Sequence, residues 1–262
     1  MIGRIWAIAL NTFREAARIR VLYGILVLVA GSNLIAIIVG QLSQRDAERV
    51  ARDVGLAGVS LFGSLTAIFL GVFLLYTEVQ RRTIHAIVSK PISRWEFVVG
   101  KFTGMAVVLS VLVGVFAIAM LAMLTWQGAG ISAAVVKALV LSWLEVITVA
   151  AIAIFFSSFS TPFLSGIFAL AMWVIGRLTP DLEAATQSAA PVIRTSARIA
   201  LEIVPDVHLF AVSGRTLDGA AVSVHGDFVP WSYVALAAAH GVGWTIGLLA
   251  LAALLFHRRD FV

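Results

Sequence analysis

Long uncharged apolar runs dominate the chain, interrupted at a few points by short charged segments. Residues 21 to 40, 54 to 77, 102 to 136, 138 to 176 and 228 to 256 carry no Asp, Glu, Lys or Arg other than Glu145. About 20 apolar residues cross a hydrocarbon core of about 30 Å, so the fourth run is long enough for two crossings and each of the others for one. Ser157, Ser158, Ser160, Thr161 and Pro162 mark the turn between those two. The pattern predicts an all-α integral membrane protein, a single domain over 1–262. Its six transmembrane helices fall near 21–40, 57–77, 103–125, 134–156, 162–178 and 232–256.

The segments between the runs have patterns of their own. Over 2–18, Ile2, Ile5, Trp6, Ala9, Leu10, Phe13 and Ala17 share one helical face, and Arg4, Asn11, Thr12, Glu15 and Arg18 take the other. That is an amphipathic helix for the membrane interface. A cleavable signal peptide fits less well, because the apolar run is long and no small-x-small site follows it.

Residues 78–101 read as helix, break, helix. Ile84, Ile87 and Val88 lie on one face with Arg81, Arg82 and His85 around the rest, and Pro91 stops the helix. Ser93 and Glu96 then stand at capping-box spacing, flanked by Ile92 and Phe97 as a hydrophobic staple. Held between two spans, this basic element suits docking of a soluble partner, with a solvated loop as the plain alternative. The 41–56 segment reads as a short charged loop and 126–132 as a tight turn. In 179–230, Thr179, Pro180 and Asp181 resemble a helix start, a second helix runs to Val204, and 206–230 reads as loop.

Composition agrees with the pattern. Of 262 residues, 61% are hydrophobic and 13% charged, with a mean hydropathy of +1.01. Arg4, Arg14, Arg18 and Arg20, then Arg81, Arg82, Lys90, Arg94 and Lys101, then Arg258 and Arg259 all fall on one side of a six-span topology. The positive-inside rule makes that side the cytoplasm and puts both termini there. The opposite side has more acids than bases. The net charge of +5 therefore reflects membrane borders and anionic headgroups, with no nucleic-acid motif to set against that. The chain has no cysteine, which excludes disulfides and thiolate chemistry.

Enzyme signatures are missing. Gly100 and Lys101 are followed by Phe102, and Trp95 stands where a phosphate-binding loop needs glycine, so ATP hydrolysis would belong to another chain. Phe163 occupies the glycine position of a G-x-S-G motif around Ser165, no H-E-x-x-H occurs, and five scattered histidines offer no metal spacing. Two polar groups do sit inside spans. Glu145 lies about 16 Å and His240 about 14 Å from the outer side at 1.5 Å per residue, a matched depth that suggests they pair. A carboxylate there needs a partner, either as a structural hydrogen bond or as part of a proton or substrate route, and the structural role is the simpler expectation. Arg177 is explained by snorkelling at the outer interface.

Three patches together give a resemblance. Asn11-Thr12-Phe13-Arg14-Glu15 leads into Val21-Leu22-Tyr23; Glu78 precedes Arg82-Thr83-Ile84, Ser89-Lys90-Pro91-Ile92-Ser93-Arg94 and Gly100-Lys101; and Arg258-Arg259-Asp260-Phe261 closes the chain. In this order they are similar to ABC-2 type permeases of ATP-binding cassette transporters, in particular the subgroup labelled multi-copper enzyme maturation permeases. Nothing in the chain supports the copper label, since there is no cysteine and no methionine cluster.

The resemblance implies that 2–18 is a connecting helix and that 79–90 is a coupling helix, with Glu78, Arg81, Arg82, Ile84, Ile87 and Val88 at the ATPase. It also implies two separate cytoplasmic ATPase subunits binding ATP and Mg, a second permease copy as homodimer, and export through the cell inner membrane. It leaves room for an extracytoplasmic accessory protein. A membrane anchor or mechanical transmitter for an ATPase complex is the alternative function. A secondary transporter fits poorly, because no inverted repeat is visible.

Overall fold

The computed structural model describes residues 2–19, 47–80, 93–126, 132–187, 190–211, 214–215, 221–222 and 229–257, with positions 27, 31, 34, 35 and 38. Its helices are α1 (Ile2–Ala17), α2 (Ala47–Gln80), α3 (Arg94–Trp126), α4 (Ala133–Phe159), α5 (Pro162–Arg177), α6 (Thr179–Thr186), α7 (Pro191–Glu202) and α8 (Trp231–His257). A short 3-10 turn (Val207–Phe210) and an antiparallel pair of two-residue strands, β1 (Gly214–Arg215) and β2 (Ala221–Val222), lie before α8.

Four helices, α2, α3, α4 and α8, are long and apolar enough to cross a membrane, and the pair α5 and α6, bent by 65°, makes up to five. The expected first span, 21–40, lies mostly outside the described residues, as do the coupling residues 81–92. The capping box is formed: Ser93 N–H donates to Glu96 Oε2 at 3.1 Å, and α3 starts there and continues unbroken into its span.

Two expectations are corrected. The charged stretch before the second span is not all loop, for α2 is already helical at Ala47; its Ala, Glu and Arg residues favour helix and no proline or cap interrupts them. The stretch 206–230 contains the 3-10 turn and the strand pair, and residues 205–211 are largely buried.

Helix α4 is the centre of the bundle. Of its apolar window 72% is buried, against 28% for α8, and Val149 to Ile154 are buried on all sides. Small residues let α2 come close to it: a Cβ added at Gly63 would fall 2.6 Å from Val146 Cγ2, and one at Gly71 would fall 2.5 Å from Ala153 Cβ. Between apolar helices in lipid, such close approach supplies the dispersion energy that holds them together.

The same device fastens α1. A Cβ at Gly100 would lie 2.8 Å from Ile8, and one at Gly104 would lie 2.5 Å from the Ala9 carbonyl. Ala9, Thr12 and Ala16 are buried in that seam, while Trp6 and Leu10 stay exposed on another face. Lys101, buried in α3, reaches Glu15 of α1 at 3.3 Å.

Candidate functional site

A polar site inside the bundle is centred on Glu145 of α4. The carboxylate accepts from Arg177 Nη1 at 2.7 Å and Trp173 Nε1 at 3.0 Å on Oε1, and from Ser60 Oγ at 2.7 Å on Oε2. Arg177 Nη1 also donates to Ser60 Oγ at 2.9 Å, so Arg177, Ser60 and Glu145 close a ring. Three helices, α2, α4 and α5, meet in it. Glu145 is 1% exposed and Arg177 31%, so the acid is sealed and the base opens outward. Both carboxylate oxygens are satisfied by donors from other helices, which a buried charge requires.

This overturns the expected pairing of Glu145 with His240. Glu145's partners sit on α2 and α5, whereas His240 of α8 lies beside Trp244, with its buried Nε2 lacking a hydrogen-bond partner among the described residues. Similar depth is not proximity. The snorkelling account of Arg177 is corrected too. Its guanidinium is held within the bundle, donating to Glu145 of α4 and Ser60 of α2.

Sequence reasoning missed Ser60 and Trp173, and gave Arg177 the wrong role. A usable signal was present. Glu145 and Arg177 are each sixteen positions from Thr161, the cap of the tight turn between α4 and α5, so an antiparallel hairpin puts them level.

Residues 205–211 pack next to this site, since Gly176, which they contact, precedes Arg177. Val207, Leu209, Phe210 and Ala211 are buried. The Pro205 carbonyl and Val207 lie against Gly176, and the Phe210 ring lies against Gly241, where an added Cβ would be 2.9 Å from Cζ and 3.1 Å from Thr148 Oγ1. Gly241 is ten residues into α8, about 15 Å along the helix from Trp231. Tyr233 Oη donates to the Leu209 carbonyl at 2.9 Å and Asp206 accepts from His208 N at 3.1 Å, which fixes the turn's shape.

Of the coupling residues expected from sequence, Glu78 lies in the last turn of α2, and Arg81, Arg82, Ile84, Ile87 and Val88 lie outside the described residues. No group of three or more His, Asp or Glu side chains is arranged for a metal among the described residues.

The fold and its buried ion pair define a polytopic helical membrane protein with ionic chemistry inside the bundle and no nucleotide-binding loop. The family model described as ABC-2 family transporter protein matches residues 6–261, and the chain belongs to that family. Members are the membrane components of ABC transporters and carry no nucleotide-binding domain of their own. No curated protein sequence matches the chain.

Proposed function

We propose that this chain is the permease subunit of an ATP-driven exporter, working as two permease copies with two separate cytoplasmic ATPase subunits that bind ATP and Mg. The family membership carries this reading. Residues 79–90 act as the coupling helix, with Ile84, Ile87 and Val88 in an ATPase cleft and Glu78, Arg81 and Arg82 guiding the dock. Both termini are cytoplasmic in the cell inner membrane, and an accessory protein can meet the chain outside.

The bundle offers a route for the signal. Helix α2 is continuous from Ala47 to Gln80 and carries Ser60. Gln80 and Ser60 are 20 positions apart, about 30 Å along one rod, so displacement at the coupling segment is delivered to the Glu145 site without an intervening hinge. On the other side of the segment, the Ser93 cap joins it to α3, which α1 clamps through Gly100 and Gly104.

The test replaces Ile84 and Ile87 together by Asp. Each buried apolar side chain contributes about 1.5–3 kcal/mol, so the variant inserts and folds but releases its ATPase in detergent and loses transport-coupled hydrolysis. Arg81→Ala with Arg82→Ala gives a milder, salt-sensitive weakening. An Asp variant that retains its ATPase at wild-type stoichiometry would remove residues 79–90 from the docking role.

A further inference from the structure

The buried turn at 205–211 and the Glu145 ion pair share one structural support, the outer end of α5. Gly176 receives the Pro205 carbonyl and Val207, and the next residue, Arg177, holds Glu145 and Ser60. On the opposite side, Thr148, one turn below Glu145 on α4, touches the place where Phe210 meets Gly241. The 65° bend between α5 and α6 falls immediately after Arg177, so the tip of α5 is where this helix changes direction. Both seats are glycines: a Cβ at Gly176 would run into the Pro205 carbonyl and Val207, and one at Gly241 would meet the Phe210 ring tip at 2.9 Å.

We propose that residues 205–211 form an outer plug and that the Glu145–Arg177–Ser60 ring is its latch, so that the plug unseats when the tip of α5 lets go of Glu145. The plug is held in by shape, through Val207 and Phe210 on two glycines. The latch is held by charge. Moving the α5 tip takes Gly176 away from Val207 and Arg177 away from Glu145 in the same step. The latch itself stands on the packing described above; its use as the outward gate of a transport path rests on the permease reading.

The chain's lack of cysteine makes the test direct. A single cysteine replaces Val207, which is 0% exposed, and a control cysteine replaces Val192, which is 76% exposed; both are probed in the full-length protein in membranes with an impermeant maleimide. With the latch intact, the cysteine at 207 is protected and the one at 192 reacts. In Glu145→Gln, labelling at 207 rises by about tenfold or more while 192 is unchanged, since each loss of about 1.4 kcal/mol raises an open population tenfold.

Ser60→Ala, which removes one member of the ring and no charge, gives a smaller rise in the same direction and covers the case in which Glu145→Gln folds poorly. Ready labelling at 207 in the unmutated background, or protection that persists in both folded variants, overturns the latch. With the ATPase bound and hydrolysing ATP, labelling at 207 rises during turnover. A turnover-independent signal, in a chain whose latch variants do respond, overturns the gate role and counts against the permease reading, leaving the latch in place.

Discussion

Among the described residues, the Glu145–Arg177 and Lys101–Glu15 ion pairs are mirror images in burial. At the Glu145 site the acid is sealed, 1% exposed, and its base Arg177 is 31% exposed; at the α1–α3 seam the base Lys101 is sealed, 2% exposed, and its acid Glu15 is 30% exposed. The first pair is short, 2.7 Å, and sits in a ring with Ser60 and with Trp173 as an added donor. The second is longer, 3.3 Å, and lies on a seam already closed by Gly100 and Gly104 against the α1 backbone. One contact is therefore held by charge and hydrogen bonding across three helices. The other is held by shape, with the charge as an addition. The difference shows how this bundle divides its work: steric seams fix α1 to α3 and α2 to α4, and a charge network fixes the short helix α5.

The largest effect follows from removing the cation of the sealed acid. Arg177→Leu leaves Glu145 buried with only Ser60 and Trp173, and removing one partner of a buried ion pair costs about 3–5 kcal/mol. Glu145→Leu is milder, because the partly exposed Arg177 can extend its head outward. The double Leu variant recovers stability relative to Arg177→Leu alone, since an apolar pair needs no compensation. Thermal unfolding in detergent ranks the three. If Glu145→Leu is the more damaging single change, burial does not govern this pair. Glu145→Gln, which can still accept from Trp173, retains assembly.

The seam behaves in the opposite way. Gly104→Val drives a side chain into the Ala9 carbonyl and Thr12, an overpacking that costs about 1–3 kcal/mol, whereas Glu15→Gln leaves the glycine contacts intact and costs about 1 kcal/mol or less. Limited proteolysis near the N-terminus together with thermal unfolding reads both. A Glu15→Gln effect as large as that of Gly104→Val would make the seam electrostatic after all.

These contrasts follow the boundary of what could be read from the residues. The start of α3 was legible, because Ser93 and Glu96 announce it by spacing, and that local bond formed as expected. The seam with α1 was not: the apolar face of 2–18 suits the membrane interface, whereas α1 packs on α3 through Ala9, Thr12 and Ala16, and Trp6, Leu10 and Ala17 of that apolar face stay exposed. The Glu145 site was not read correctly, because its partners come from sequence separations of 28, 32 and 85 residues and depend on which helices are neighbours. Depth alone pointed to His240. Depth with the hairpin turn at Thr161 would have pointed to Arg177. The plug was hidden for a different reason: Val207, Leu209 and Phe210 form too short an apolar group to register between a charged helix and a polar loop, and only the glycines at 176 and 241 show where it goes.

The smallest expected effect concerns a third acid, Asp206 at the head of the plug, which is neither in a charge ring nor on a glycine seam. Burial pushes its carboxyl above the usual carboxylate range, against the opposing pull of the His208 N–H and the nearby His208 and His240 rings, while Glu183 of α6 adds to the rise; Tyr233 of α8 is its other titratable neighbour. A raised folded value means that the fold prefers the protonated acid. Asp206 therefore contributes stability below its unfolded value of about 3.9, and that contribution is lost as pH rises through the higher folded value. At neutral pH the ionised group is a constant penalty. Asp206→Asn keeps a side-chain oxygen to accept from His208 N and has no charge to desolvate. It should raise thermal stability slightly at neutral pH and remove the decline between about pH 4 and the folded value, without changing stability in more acidic buffer. Measured as melting temperature against pH for the two proteins, the curves should converge at low pH and separate as the acid ionises. Separation in the reverse sense, with Asp206→Asn less stable at neutral pH, would show that the capping bond to His208 outweighs the cost of the buried charge.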